Sequence, residues 1–271
     1  MNEEILLVDK PEGMSSFGVV ARVRRKLSEM AGMVEIRGKD GVMRQKRKKV
    51  KVGHTGTLDP FATGLLVILT GKGTKRATEF LKLDKEYVAT IELGKVSTTG
   101  DTEGTISLFS VEVDLSKSSP AGRDFEVVQP EESSSMTSKG EIVPSMSVST
   151  PSPAQVEEVV AGFVGEVEQR VPAYSAVKIN GQRAYKLARE GKEVEMPVRK
   201  VKIYEIEILK YEWPFLTIRC KVSSGTYIRT LGEDIGKALG VGGYLTALRR
   251  TQVGEWRIEE AKTLEELGIT D

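Results

Sequence analysis

A long polar stretch divides the chain and limits where a folded core can form. Residues 115–153 contain eleven Ser and five of the ten Pro residues of the chain, with few large apolar side chains. A segment of this composition buries too little surface to offset the entropy lost on ordering. We therefore predict a disordered, Ser/Pro-rich insertion over 115–153, with one short strand at 126–128. The parts on its two sides then form a single domain over residues 1–271.

The two parts carry mixed helix and strand patterns. Strand patterns occupy five segments: 5–8, 64–70, 86–93, 201–209 and 215–222. Helix patterns occupy six: one that begins near Ser15 or Ser16, then 74–81, 154–163, 182–190, 227–239 and 244–249. Segments 201–209 and 215–222 are close enough in sequence to form an antiparallel pair. Because no regular βαβ alternation is present, we predict an α+β fold with a mixed, largely antiparallel sheet flanked by helices and loops.

Charge is distributed unevenly although the net charge is only +1. Residues 22–51 hold twelve Lys or Arg and three acids, so this segment carries +9 and the remainder −8. Such asymmetry is typical of a protein with one face against a polyanion. The alternative is a solvated basic loop, because blocks of like charge are commonly disordered. Residues 31–50 show no hydrophobic periodicity, and we predict a mobile basic loop insertion there.

Several classes of protein are excluded by composition. The longest apolar runs, such as 65–69, are far shorter than the roughly 18 residues that a membrane span requires. The N-terminus lacks the basic and apolar regions of a secretory signal, so we expect a cytoplasmic protein. One cysteine, Cys220, and one histidine, His54, cannot form a disulfide framework or a zinc site made only of Cys and His. We expect no metal site.

The most unusual stretch is residues 53–64, GHTGTLDPFATG, which leads directly into the apolar segment 65–69. Its glycines permit tight turns, and Pro60 restricts Asp59 to extended geometry. A carboxylate is thereby held on a rigid loop at the entrance to a strand. The alternative is that Asp59 only caps a turn, as most Asp-Pro pairs do. None of the five Gly-Lys pairs is followed by Ser or Thr, which excludes a phosphate-binding P-loop.

Six blocks together resemble the bacterial tRNA pseudouridine-55 synthases. Besides residues 53–64, they are DKPEGMSS at 9–16, KEY at 85–87, TGDTEG at 99–104, PAYSAVK at 172–178 and SGTYIRT at 224–230. The likeness covers about residues 5–110 and 154–260, with the blocks in the family's order. It implies a pseudouridine-synthase fold and isomerisation of the T-loop uridine of tRNA, without a cofactor.

The resemblance also implies roles for individual residues. Asp59 matches the catalytic aspartate, and Arg229 matches its ion-pairing partner, with a planar two-point contact expected between them. Tyr87 matches the aromatic residue that stacks on the extracted base. The alternatives are a purely structural salt bridge for Arg229 and a strand-core position for Tyr87.

Further positions match the family's substrate-binding residues. His54 matches the residue that occupies the space left by the flipped uridine. Tyr227 and Leu248 match residues that line the pocket, where ordinary packing is the alternative. Lys85, Arg249 and Arg250 are candidate phosphate contacts or, alternatively, solubilising charges.

The chain departs from the family in ending at Asp271, where many members continue into a C-terminal RNA-binding domain. We therefore expect a short form without that domain, which acts on the T-stem loop as a monomer with no obligatory protein partner. A catalytically silent RNA-binding protein would be expected to lack Asp59. A guide-RNA-dependent pseudouridylase subunit usually carries the further domain. A glycosidase would need a second catalytic carboxylate and would release free uracil.

Overall fold

A computed structural model describes residues 5–37, 40, 42–110, 149–179, 181–192 and 194–269. The strand expected at 126–128 and most of the 115–153 insertion lie outside the described residues. The end of that insertion is corrected by the structure. Pro151 is buried and its carbonyl accepts a hydrogen bond from the Tyr211 hydroxyl at 2.7 Å. Ser152 caps the helix that begins at Pro153, so these last residues belong to the fold.

The described chain contains five α-helices and fifteen strands. The helices are α1 (Ser16–Met30), α2 (Ala77–Leu81), α3 (Pro153–Ala161), α4 (Ala184–Arg189) and α5 (Ile228–Ala238). The strands are β1 (Ile5–Lys10), β2 (Met33–Arg37), β3 (Met43–Arg47), β4 (Val52–His54), β5 (Thr63–Thr70), β6 (Lys85–Leu93), β7 (Lys95–Ser97), β8 (Ile106–Leu108), β9 (Gly165–Arg170), β10 (Lys178–Ile179), β11 (Gln182–Arg183), β12 (Val198–Glu212), β13 (Phe215–Val222), β14 (Gly243–Val253) and β15 (Trp256–Arg257). Two 3₁₀ turns cover Gly71–Arg76 and Ile258–Glu260.

Nine of these strands form one mixed sheet in the order β1-β5-β14-β6-β13-β12-β9, with β4 beside β5 and β15 beside β14. Only β5 and β14 pair in parallel among the described strands. The α+β class and the largely antiparallel sheet are therefore confirmed. Strands from both sides of the 115–153 segment are neighbours in this sheet, which joins the two parts of the chain into one unit.

Apolar faces of the helices cover the sheet. Helix α1 begins after its cap, Ser15, and places Val19, Val20 and Val23 against strands β1 and β5. Val23 follows the other two by three and four residues, which puts the three side chains on one helix face. Helices α3 and α5 pack on the larger core cluster, which contains side chains from β6, β12, β13 and β14. The catalytic candidates lie where this core meets the loop between β4 and β5.

Two predictions about secondary structure are wrong. Residues 244–249 belong to the long strand β14, not to a helix. A bulge between Leu245 and Ala247 shifts its register, so its buried side chains lose the two-residue alternation of a regular strand. Residues 31–50 are not a loop throughout, because β2 and β3 pair as a separate antiparallel ribbon.

Candidate active site

The loop that carries Asp59 is held by hydrogen bonds on both sides of the aspartate. Before it, the Ser16 hydroxyl accepts a hydrogen bond from the Leu58 amide and donates one to the Leu58 carbonyl, each at 2.8 Å. After it, the Pro60 carbonyl accepts a hydrogen bond from Lys10 Nζ at 3.1 Å. The Asp59 carboxylate is thus held on a rigid segment while a third of its side chain stays exposed.

Arg229 is the direct partner of Asp59. Its Nε lies 3.1 Å from Asp59 Oδ2, and only 5% of the arginine side chain is exposed. Its Nη1 donates to the Thr99 carbonyl at 2.8 Å, and its Nη2 donates to the Tyr174 carbonyl at 2.9 Å. The ion pair is present in the structure, but the expected two-point contact is not. The other two guanidinium nitrogens bind acceptors from two other loops instead.

A second carboxylate, that of Asp101, forms a buried ion pair with Arg229. Its Oδ2 lies 3.3 Å from Arg229 Nη1, and 2% of its side chain is exposed. Its Oδ1 accepts hydrogen bonds from the Thr99 hydroxyl and, at 3.0 Å, from the Glu103 amide. A buried carboxylate with these donors compensates the positive charge of the arginine and fixes its position.

The electrostatics of Asp59 reflect two opposing effects. Burial raises the pKa of its carboxyl above the ordinary value, and the nearby Asp101 adds to the increase. Arg229 and Lys10 act in the opposite direction. Lys10 itself is fully buried, and burial lowers its pKa to about 8. A carboxylate with a raised pKa is more basic and therefore a stronger nucleophile once it is ionised.

Two predicted pocket residues, Tyr87 and Leu248, belong to the main core cluster. Tyr87 on β6 and Leu248 on β14 belong to the same buried cluster as Leu58 and Phe61, which flank the aspartate. Tyr87 lies opposite Arg250 in the β6–β14 register, and Leu248 lies opposite Ala89. The structure therefore places both predicted side chains in the core cluster that also contains two neighbours of Asp59 in sequence, in positions that also suit core packing.

Tyr227 directly precedes helix α5 and is held through its backbone. The side-chain amide of Gln169 on β9 accepts from the Tyr227 N–H at 3.0 Å and donates to its carbonyl at 3.2 Å. Gln169 is almost fully buried. This two-way contact fixes the start of the helix that carries Arg229. The Tyr227 ring packs against the small buried cluster of Val171, Ala184 and Met196.

His54 lies at the end of β4, five residues before Asp59. Its Nδ1 accepts a hydrogen bond from the Gly56 amide at 3.3 Å, which leaves Nε2 to carry the ring proton. Burial and the nearby Arg250 lower the pKa of His54. A neutral ring with one fixed tautomer is therefore expected at neutral pH.

Lys85 and Arg250 are buried, which differs from the expectation of exposed phosphate contacts. Arg250 Nε donates to the Leu65 carbonyl at 2.7 Å, and its Nη2 donates to the Gly56 carbonyl at 3.1 Å. Lys85 Nζ donates to the carbonyls of Leu81 and Leu83. Burial lowers the pKa of Lys85 to about 8. Donors that already bind backbone carbonyls are not available to phosphate in this conformation, so both residues have a structural role here.

Sequence reasoning assigned no role to four residues that hold the site together. They are Lys10, Ser16, Asp101 and Gln169. The first three lie inside blocks that carried the family resemblance, and that was the signal available for them. Gln169 lies outside every such block. Its importance depends on a contact 58 residues away in sequence.

Two further observations concern other kinds of site. Within the described ranges, no group of three or more His, Cys, Asp or Glu side chains is arranged to hold a metal ion. No helix in the same ranges is both long and apolar enough to cross a membrane.

Comparison with known families now identifies the class. The model of the TruB family pseudouridylate synthase N-terminal domain matches residues 44–121 and 124–228. The model of the tRNA pseudouridylate synthase B C-terminal domain matches residues 229–269. In this structure that range includes most of helix α5 and strand β14 of the nine-stranded sheet. The chain belongs to the TruB family of pseudouridylate synthases. The expected lack of a separate RNA-binding domain stays a prediction.

Individual relatives agree with the family. The chain is 46% identical over 217 residues to tRNA pseudouridine synthase B of Francisella tularensis subsp. tularensis strain WY96-3418, covering 80% of this chain and 60% of that protein. It is 45% identical to the same enzyme of Francisella philomiragia over the same shares. The chain thus spans about three fifths of the length of these curated relatives.

Solved structures share the fold. A Cbf5-Nop10-Gar1 complex contains a chain that matches with a TM-score of 0.56 and 26% identity, covering 96% of this chain and 52% of the other. A chain in an H/ACA RNP bound to a substrate RNA containing 2′-deoxyuridine matches with a TM-score of 0.55 and 24% identity, covering 96% and 51%. These matches confirm the pseudouridine-synthase-like fold.

Proposed function

We propose that this protein isomerises uridine to pseudouridine in tRNA, at position 55 of the T loop. The observation that carries the proposal is the partly exposed Asp59 carboxylate, held against the buried guanidinium of Arg229. The name of the Francisella relatives, tRNA pseudouridine synthase B, supports a tRNA substrate.

The reaction breaks the bond between N1 of uracil and C1′ of ribose and forms a bond from C5 to C1′. C5 loses a proton and N1 gains one, so no redox partner or cofactor is required. Asp59 is proposed as the nucleophile in this exchange. Arg229 orients it, because the guanidinium is itself fixed by acceptors on three other residues.

Base flipping brings the target uridine to this carboxylate. An enzyme that acts on a base inside an RNA fold must extrude the base at a cost of a few kcal/mol. Tyr87 is proposed to stack on the extruded base, with Tyr227 and Leu248 around it. His54 is proposed to fill the vacated space. Its neutral ring suits that role, because an uncharged side chain is less costly to place among bases.

The protein is proposed to act as a cytoplasmic monomer without a guide RNA or protein partner. It is 46% identical to tRNA pseudouridine synthase B of Francisella tularensis, whereas the matching chains of the Cbf5-Nop10-Gar1 complex and of the H/ACA RNP are 26% and 24% identical. The distinction matters for the assay, because a stand-alone enzyme needs only tRNA.

The test is incubation of the purified protein with an unmodified tRNA transcript that carries tritium at uridine C5. We expect tritium release, pseudouridine at position 55 and no free uracil. Asp59→Asn should abolish release and leave tRNA binding within a few-fold of wild type, because the amide keeps the shape but loses the nucleophilic oxygen. The matched control is Asp84→Asn, whose carboxylate accepts a hydrogen bond from Tyr204 Oη in an exposed contact.

Two results would contradict the proposal. Wild-type turnover in purified Asp59→Asn would remove the aspartate from the reaction. Release of free uracil would identify a glycosidase instead.

A further inference from the structure

The ribbon formed by β2 and β3 is the most unusual surface of the described chain. It pairs with none of the strands of the nine-stranded sheet, and each residue of both strands is exposed. Isolated two-stranded ribbons are only marginally stable in water. Apolar side chains are nevertheless exposed along it, including Met33, Ile36 and Met43. These features are typical of a surface that a partner covers.

The base of the ribbon is fixed to the end of α1. The Lys48 amide donates to the Gly32 carbonyl at 3.0 Å, and the Val50 amide donates to the Ser28 hydroxyl at 3.2 Å. Arg47 forms an exposed ion pair with Glu29 of α1 at 3.3 Å. These contacts attach the ribbon to the C-terminal end of α1.

Helix α1 connects this attachment to the candidate active site. Its first residue, Ser16, makes both hydrogen bonds to Leu58 beside the Asp59 loop. Fifteen helical residues span about 22 Å. The ribbon thus lies well beyond the reach of the target nucleotide. Between the two ends, a shallow groove on α1 is lined by Gly18, Ala21, Arg22 and Arg25.

The charge of β3 and of the residues that directly follow it, at the base of the ribbon, favours a polyanion. The lysines at 46, 48 and 49 are exposed, and none of them forms an ion pair within the described residues. The sequence contains no acid between Gly41 and Leu58. Exposed ammonium groups close together in sequence, attached to the end of a basic helix, suit the phosphates of a nucleic acid backbone.

We propose that the β2–β3 ribbon binds tRNA phosphates outside the T loop, so that the RNA lies along α1 between Asp59 and the ribbon. This inference rests on the proposed function for the identity of the RNA. Lys46, Lys48 and Lys49 neutralise phosphates, and the exposed apolar side chains contact ribose. Contacts to phosphate position the substrate without reading its sequence.

The test compares the salt dependence of tRNA binding in three proteins by fluorescence anisotropy. They are wild type, a ribbon variant (Lys46→Ser, Lys48→Ser, Lys49→Ser) and a control variant (Lys200→Ser, Lys202→Ser, Lys221→Ser). The control lysines are also exposed, but they lie on β12 and β13 towards the other edge of the sheet. Each phosphate contact contributes roughly 0.7–0.9 to the slope of log affinity against log salt. We expect the ribbon variant to lose about 2 from the slope and to bind about tenfold more weakly, and the control to change little.

Turnover separates this inference from the proposed function. In the ribbon variant the loss is expected in KM rather than kcat, because the lysines are remote from Asp59. Equal slopes in wild type and ribbon variant would overturn the inference, as would an equal loss in the control variant. Conversion of a wild-type dimer to a monomer by the ribbon substitutions, with the slope unchanged, would show that the ribbon pairs two copies instead. Failure of wild type to form pseudouridine, with the slope difference intact, would contradict only the proposed function.

Discussion

Gly64 and Arg250 meet backbone to backbone where the parallel strands β5 and β14 begin to pair. A Cβ on Gly64 would lie within 2.8 Å of the Arg250 nitrogen and closer still to its carbonyl oxygen. Gly64 also has φ +101°, a conformation that L side chains rarely adopt. This contact joins the end of the 53–64 loop to the strand that carries Leu248.

Gly64→Ala is expected to separate β5 from β14 locally and to lower the free energy of unfolding by about 2–4 kcal/mol, because strain and steric overlap add. Chemical denaturation measures the change. The control is Gly53→Ala in β4, where a Cβ meets nothing within 4 Å and the backbone is ordinary. Equal stability of the two variants would show that the backbone at Gly64 relaxes at little cost.

Arg229→Lys is expected to be nearly as harmful as Arg229→Ala, with kcat reduced by roughly two orders of magnitude or more. One ammonium group cannot contact Asp59, Asp101 and two carbonyls in the directions that the planar guanidinium serves. The measurement is tritium release at saturating tRNA, with circular dichroism to verify folding. Arg219→Lys is the control, since its exposed ion pair with Glu207 tolerates a point charge. Near-normal turnover in Arg229→Lys would mean that positive potential alone is sufficient.

The secondary structure could be predicted where local pattern and final environment agree. Burial alternates strictly along β6, and its strand was predicted within one residue. In β14 the bulge between Leu245 and Ala247 interrupts the alternation, and the spacing of Tyr244, Leu245 and Leu248 resembles that of one helix face. In the β2–β3 ribbon both faces are exposed, so no burial pattern distinguishes strand from loop.

The candidate site, too, could be predicted from the sequence only in part. Asp59 could be named as the candidate nucleophile because the surrounding block resembles a family signature, whereas the glycines and the proline of its loop suit a turn cap equally well. The contacts of Arg229 could not, since the Thr99 carbonyl lies 130 residues away in sequence. Which acceptors surround a guanidinium is decided by tertiary packing of α5 on the 97–103 loop, and local sequence does not encode it.

Gln169→Leu is expected to reduce kcat more than tRNA affinity. The substitution removes both hydrogen bonds to Tyr227 and leaves its partly buried N–H without the Gln169 acceptor, which costs about 1–3 kcal/mol, while the Tyr227 carbonyl keeps the Leu231 amide as a donor. We expect the first turn of α5 to become less ordered, and Arg229, which lies in that turn, to lose its fixed position. Kinetics at saturating tRNA, together with thermal unfolding, measure the two effects.

The control for Gln169 is Gln155→Leu. Gln155 also binds a backbone N–H at a helix start, that of Ser152, but it does so at α3, away from Asp59. The Gln155→Leu variant should lose some stability and keep the kcat of wild type. A purely structural role for Gln169 would be indicated if both variants lost stability and neither lost kcat.

Glu233 on α5 is expected to make folding stability depend on pH near neutrality. Burial raises the pKa of its carboxyl from 4.5 to about 7, with Asp234 and Asp101 adding to the rise and Arg229 opposing it. Its Oε1 packs against Gly100, where a Cβ would lie 2.5 Å away. The folded protein therefore binds this proton more tightly than the unfolded chain does. By linkage, the contribution of Glu233 to stability decreases as the pH rises from 4.5 to about 7 and is constant above that range.

Glu233→Gln removes this titration, because the amide stays neutral at every pH. Relative to wild type, the variant should gain stability as the pH rises through that window, by at most about 3 kcal/mol, and show no gain from this source at lower pH. Urea unfolding on both sides of the window measures the difference. Glu207→Gln, an exposed residue paired with Arg219, should show a far smaller pH-dependent change. A constant difference between Glu233→Gln and wild type across the whole range would show that Glu233 ionises in the folded protein as it does in the unfolded chain, and that Arg229 compensates its burial completely.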